Sequence, residues 1–127
     1  MSTPTVPHGT FCWHELLSKN AELCKTFYSE LFGWESKEQE IGGMNHVVFS
    51  KDGAGLASMI QITEEMGGVS PAWVTYIAVD DVDAAVKRAG DLGGKVVIPP
   101  SDIPDVGRVA MVVDPGDTAV ALIKLAG

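Results

Sequence analysis

Two helix starts 61 residues apart, at Asn20 and Asp81, constrain this chain more than any other feature. Both residue types favour the position just before a helix, because their side chains accept the first free backbone N–H groups. The same step superimposes Leu31 on Leu92 and the strand residue Trp13 on Val74. Around each start the predicted order is strand, helix, then three strands. In the first copy these are a strand over Phe11 to Leu17, a helix to about Phe32 stopped by Gly33, and strands over Glu35 to Ile41, Asn45 to Ser50 and Leu56 to Ile62. Lys51-Asp52-Gly53-Ala54-Gly55 turns the second of these strands into the third, since glycine supplies the positive φ that hairpins need. Leu23, Cys24, Phe27, Tyr28 and Leu31 recur at helical spacing and are expected to lie together on the sheet as core.

After a glycine hinge at Met66-Gly67-Gly68 the order begins again. A strand over Trp73 to Val79 leads to a helix striped by Val82, Ala85, Val86, Ala89 and Leu92 and closed by Gly93-Gly94. Strands over Lys95 to Ile98, Val109 to Val113 and Ala119 to Lys124 complete the copy, and Pro99 to Arg108 reads as a long, stiff connection that could fold over a site or a partner. Neither half can cover both faces of its own sheet, so the halves should pack together. The predicted class is α+β: two βαβββ modules, about residues 9–66 and 70–127, forming a cup-shaped mixed sheet with the helices on its outer face, all in one 127-residue domain.

Hydrophobic residues at 46% and charged residues at 20% argue against disorder, collagen and coiled coil. A formal charge of −8 without any Lys/Arg cluster argues against nucleic acid and anionic membranes as partners and makes a neutral or cationic small molecule easier to accommodate. The segment before Phe11 has no signal-peptide pattern and no apolar run reaches membrane length, so a cytoplasmic location is expected. Cys12 falls in a predicted strand and Cys24 in a predicted helix, which suits reduced packing residues better than a disulfide framework. There is no phosphate-cradling glycine loop and no Gly-x-Ser-x-Gly elbow.

Trp13-His14-Glu15-Leu16, the run Lys25-Thr26-Phe27-Tyr28-Ser29-Glu30-Leu31-Phe32-Gly33-Trp34, and Asp114-Pro115-Gly116 before a last apolar strand resemble the vicinal oxygen chelate proteins. These are the glyoxalase, bleomycin-resistance and extradiol dioxygenase superfamily, and the resemblance covers nearly the whole chain. It implies, for the metal enzymes, a His on the first strand of each module and a Glu on a last strand, which leave coordination positions open for a substrate. Those places fall here on Trp13, on Val74, on Ala121 and on Ser58 or Met59, none of them a good ligand. No metal or other cofactor is therefore expected. A one-residue shift of the first strand would turn His14 inward, but alone; His46 reads as a hydrogen-bonded or surface histidine, and His8 as solvated.

If Trp13 and Val74 hold the former ligand positions, strand alternation points Glu15 and Tyr76 into the cup as well. A carboxylate beside an indole suits a proton shuttle and a phenol can donate to a ligand oxygen, which makes Glu15 and Tyr76 the candidate catalytic pair. The plainer alternative pairs Glu15 with Arg108 or Lys124 as framework and makes Tyr76 a core aromatic. Trp13, Ser58, Val74, Arg108 and Ala121 are the candidate ligand contacts, Trp13 as a stacking wall and Arg108 as an anion anchor, or else as the partner of one of the many acids. Three readings stay open: a metal-independent small-molecule binder or enzyme, a metal-dependent lyase or dioxygenase of the glyoxalase type, and a non-catalytic resistance or sequestration protein. A homodimer is expected, because the fold leaves strand edges uncovered.

Overall fold

The side chains of Asn20 and Asp81 do start the two helices. In a computed structural model of the chain, which describes residues 6–66 and 69–126, Asn20 Oδ1 accepts the Leu23 N–H at 3.1 Å and Asp81 Oδ1 accepts the Ala84 N–H at 3.0 Å. Helix α1 (Ala21–Phe32) stops at Gly33, whose φ of 73° returns its N–H to the Ser29 carbonyl; helix α2 (Val82–Asp91) stops at Leu92. Among the described residues the chain also forms eight strands: β1 (Phe11–Ser18), β2 (Glu35–Ile41), β3 (Met44–Lys51), β4 (Ala54–Gln61), β5 (Ala72–Ala78), β6 (Lys95–Ile103), β7 (Gly107–Val113) and β8 (Ala119–Leu125). Each half is thus βαβββ, and the fold class is α+β with mixed pairing. Of the hinge expected at Met66-Gly67-Gly68, the two glycines lie outside the described residues.

The chain divides into two compact units, one of Trp13–Val74 and the other joining the residues before Trp13 to those from Thr75 on. The first runs in the strand order β2-β3-β4-β1, with β1 and β4 parallel and the other neighbours antiparallel. The second runs β5-β8-β7-β6, with β5 and β8 parallel. The start of β1 belongs with the second unit, because the Gly9 N–H donates to the Ala78 carbonyl and the Ala78 N–H to the Thr10 carbonyl. The duplication extends to register: Glu15 lies opposite Ser58 on the β1–β4 pair, and Tyr76, 61 residues after Glu15, lies opposite Ala121 on the β5–β8 pair.

In the first unit Leu16, Val47, Phe49 and Met59 form the core under α1, with Ala21, Cys24, Tyr28 and Trp34 packed against them. The apolar stripe of α1 is wider than the sheet contact. Cys24 and Tyr28 pack inward, but Leu23, Phe27 and Leu31 are 68%, 57% and 59% exposed, contrary to the expectation that all five are core. At 3.6 residues per turn the five positions span about 140°, and the sheet covers only the end of that arc that carries Cys24 and Tyr28.

The charged strand β2 is an edge, as its composition suggested, and β6 is the edge of the other unit. The expected loop from Pro99 to Arg108 is not a loop. Strand β6 continues through both prolines to Ile103, leaving only residues 104–106 to turn into β7. The prolines fit because an edge strand has an unpaired side, and because the β6–β7 register shifts between Ile98 and Ser101, where Pro99 and Pro100 need no ladder N–H. Cys12 and Cys24 are free thiols, and burial pushes the Cys12 thiol above its ordinary value. Among the described residues no helix is long and apolar enough to cross a membrane.

Candidate functional site

Alternation along β1 gives the first unit a side that faces α1 and a side that faces away from it, and Leu17 and Ser58 on the second side are buried as well. Leu16 is in the core under α1, so Trp13, Glu15 and Leu17 point the other way. Opposite Glu15 is Ser58 on β4, and opposite Ser58 is Val48 on β3, so His46, two residues before Val48, shares that face. His14 takes the parity of Leu16 and is exposed.

Four of these side chains form a line of hydrogen bonds. The Trp13 indole N–H donates to Ser58 Oγ at 3.0 Å. An indole nitrogen only donates, so the Ser58 hydroxyl turns its own hydrogen to Glu15 Oε2, also at 3.0 Å. His46 Nε2 approaches the same Oε2 at 3.5 Å, with the imidazole and carboxylate side chains 13% and 12% exposed. On the far side of the ring His46 Nδ1 lies 3.1 Å from the Met44 carbonyl oxygen, which can only accept. With Nδ1 committed as a donor, Nε2 meets the carboxylate best as a second N–H, in the imidazolium form. The hydrogen bond to Glu15 accordingly raises the His46 pKa above its ordinary value, against the opposing effect of burial, with the Met44 carbonyl and the Glu15 charge adding to the rise. The far edge of the indole lies beside Gly55, where an added Cβ would be 3.4 Å from its Cη2, an ordinary contact distance.

His46 is hydrogen-bonded, one of the two readings given to it, but its pairing with Glu15 was not anticipated. The available signal was the alternation of His46 and Val48 with the buried Val47 and Phe49, which puts His46 on the polar side of β3. What could not be read was that β4 lies between β3 and β1, bringing a histidine at 46 to a glutamate at 15.

The other candidates lie elsewhere. Val74, on β5, is buried. Tyr76 and the buried Ala121 are register partners in the second unit, on the face that Met111 of β7 shares. Arg108 faces away from them, sharing the side of Ala110, Val112 and Leu122. Its Nε and one terminal nitrogen donate to Asp83 of α2 at 2.7 and 2.9 Å, and the other terminal nitrogen to Asp102 at 3.0 Å. The Asp83 carboxyl is held below its usual range by this hydrogen bond, and the guanidinium is raised in turn. Arg108 thus takes the role of an acid's partner, one of the two considered for it.

The sequence profile of the Glyoxalase/Bleomycin resistance protein/Dioxygenase superfamily matches residues 11–122. The chain belongs to this superfamily. A Mycobacterium tuberculosis protein named "Putative glyoxylase CFP32" is 36% identical over 117 residues, 91% of this chain and 44% of its own length. The anthracycline biosynthesis protein DnrV of Streptomyces peucetius is 32% identical over 127 residues, 90% of this chain and 46% of its own. The chain therefore spans under half the length of these relatives. Among solved structures, methylmalonyl-CoA epimerase from Mycobacterium tuberculosis superimposes with a TM-score of 0.62 at 15% identity, over 100% of this chain and 94% of the epimerase, which is a likeness of fold.

The metal that the superfamily implies does not fit these residues. The four reserved places carry an indole already donating to Ser58, two buried aliphatic side chains, and a hydroxyl already shared with Glu15 or the buried Met59 beside it. Among the described residues no three His, Cys, Asp or Glu side chains come together as a possible metal group. Glu15 and His46 supply two donors at most, and the imidazole is turned toward the carboxylate as a hydrogen-bond partner, whereas a catalytic zinc typically has three protein ligands.

Proposed function

We propose that the chain is a metal-independent small-molecule binder or enzyme of the superfamily, with Glu15 as its proton-handling group on the face of the first module's sheet that points away from α1. The observation that carries this is the convergence on Glu15 Oε2 of the Ser58 hydroxyl and His46 Nε2 in a site largely withdrawn from water. A carboxylate fixed by two donors and paired with an imidazole can take a proton from a bound molecule and return it, while His46 balances the charge. Trp13 provides a rigid apolar wall beside it. Tyr76, at the position that corresponds to Glu15 after the 61-residue step, is proposed as a donor phenol of the second module. The relatives' names, one a glyoxylase and one from anthracycline biosynthesis, both support a small organic molecule as ligand.

The fixed indole supports a second reading, sequestration without turnover, in which Trp13 stacks on a flat molecule. A thermal-shift screen of neutral and cationic small molecules on the wild type, followed by calorimetry of each hit on Glu15→Gln, tests the assignment. Glu15→Gln nearly conserves volume, and affinity or turnover should fall at least tenfold, or about 1.4 kcal/mol. Hits that bind Glu15→Gln as tightly as wild type, with turnover unchanged, would overturn the role given to Glu15.

A further inference from the structure

The two helices occupy corresponding places in the duplicated modules, so each serves as a control for the other. On α1 the exposed line at i, i+4, i+8 is Leu23, Phe27 and Leu31. The 61-residue step maps these onto Ala84, Arg88 and Leu92 of the second copy. There the central position carries a charge and the first only a methyl group, so a line of large apolar side chains is not a requirement of the fold. Around Phe27 the apolar surface continues through rings. Phe27 and Trp73 meet the Tyr28 ring edge-on at 5.1 and 5.5 Å between centroids, and Phe32 stacks on it at 6.1 Å. The Trp73 indole donates to the Tyr28 hydroxyl at 3.2 Å, which steadies the arrangement. Phe32 is itself 51% exposed and Trp73 41%.

We propose that this face of α1 is an interface with a second copy of the chain, the two α1 helices packing antiparallel across a two-fold axis at Phe27. Leu23, Phe27, Leu31, Phe32 and Trp73 together expose on the order of 500 Å², taking roughly 200 Å² for a fully exposed large side chain. That is toward the upper end of the largest apolar patch on an ordinary monomer, and about two-thirds of the roughly 800 Å² that each partner contributes to a standard interface. A line centred on Phe27 with a leucine four residues to either side is complementary to itself. Antiparallel pairing sets Leu23 opposite Leu31 of the partner subunit and Phe27 opposite its own copy, which closes the assembly at two. The charges also allow it. In the same register Glu22 falls opposite Phe32 of the partner subunit and Glu30 opposite Cys24 of the partner subunit, so no acidic side chain meets another, despite the net charge of −8 on each chain.

The test is light scattering and sedimentation of the full chain across micromolar concentrations, on wild type, Phe27→Arg and Val97→Lys. Phe27→Arg copies the residue that α2 carries at the matching position. Val97→Lys alters the exposed edge strand β6 and leaves α1 untouched. The wild type should have the mass of two chains, Val97→Lys the same, and Phe27→Arg the mass of one, with a dimer dissociation constant raised about a hundredfold or more. Circular dichroism and a cooperative melt establish that Phe27→Arg is folded; should it fail to fold, Leu23→Arg, on the same exposed line, takes its place. A wild type with the mass of one chain at every concentration, or a dimer that survives Phe27→Arg and is lost in Val97→Lys, would overturn the proposal.

Discussion

Glu15→Gln should reveal the pairing with His46 through the pH dependence of stability. Folding raises the His46 pKa above its ordinary value near 6.5, chiefly through the Glu15 hydrogen bond. The contribution is therefore fully present below about pH 6.5 and is lost as pH rises through the higher folded value. A hydrogen bond between charged groups contributes roughly 1.5–3 kcal/mol, and since both side chains keep some contact with water, about 2 kcal/mol is a reasonable expectation. For a chain of this length 1 kcal/mol corresponds to a shift of about 4 °C in Tm. Glu15→Gln should then melt about 8 °C below wild type near pH 5.5, a gap that narrows by at least half near pH 8.5. In the variant, burial and the Met44 carbonyl act on His46 in opposite directions, so its own histidine-linked pH dependence should flatten. Calorimetric melts of wild type, Glu15→Gln, His46→Gln and the double variant at both pH values measure this directly. If the two single losses simply add within about 0.5 kcal/mol near pH 5.5, or if the gap is as large at high pH as at low, the ion pair is not coupled in the way the geometry requires.

Two further outcomes follow from the backbone and the donor chemistry. Gly107→Ala should cost at least about 2 kcal/mol, read as a lower urea midpoint, because Gly107 sits at φ +144° and an added Cβ would run into the Lys124 carbonyl oxygen; an unchanged midpoint would show that β7 can shift there. Dialysis against a chelator should leave Tm within about 1 °C of its starting value, and elemental analysis of the purified protein should find no stoichiometric zinc, nickel, iron or manganese; a drop of several degrees would restore a metal to the site.

Much of the fold was legible because its signals are local. Asn20, Gly33 and Asp81 mark helix ends through bonds made within four residues, and the Asp52-Gly53 turn works through its own positive φ angles of 51° and 80°. Errors arose where a residue's meaning depends on its neighbours across the sheet. Pro99 and Pro100 read as a loop because proline lacks the N–H of a ladder, and only the edge position of β6 and its register shift make them strand residues. The α1 stripe read as core because periodicity counts apolar residues without measuring how much of a helix the sheet can cover.

The site divides along the same line. Period-two alternation was enough to put Trp13, Glu15 and Ser58 on one surface, since each needs only its own strand. Their chemistry is set by pairings over 43 and 45 residues, and the alternatives considered for Glu15, Arg108 and Lys124, were chosen by charge alone. Charge gave no reason to prefer a histidine over an arginine. Strand order does: Arg108 lies on the helix-covered side of the second unit, engaged by Asp83 and Asp102, while His46 reaches Glu15 across β4. An arginine stays charged throughout, whereas a histidine partner can itself gain or lose a proton near neutrality, which is the behaviour that the role proposed for Glu15 calls for in its neighbour.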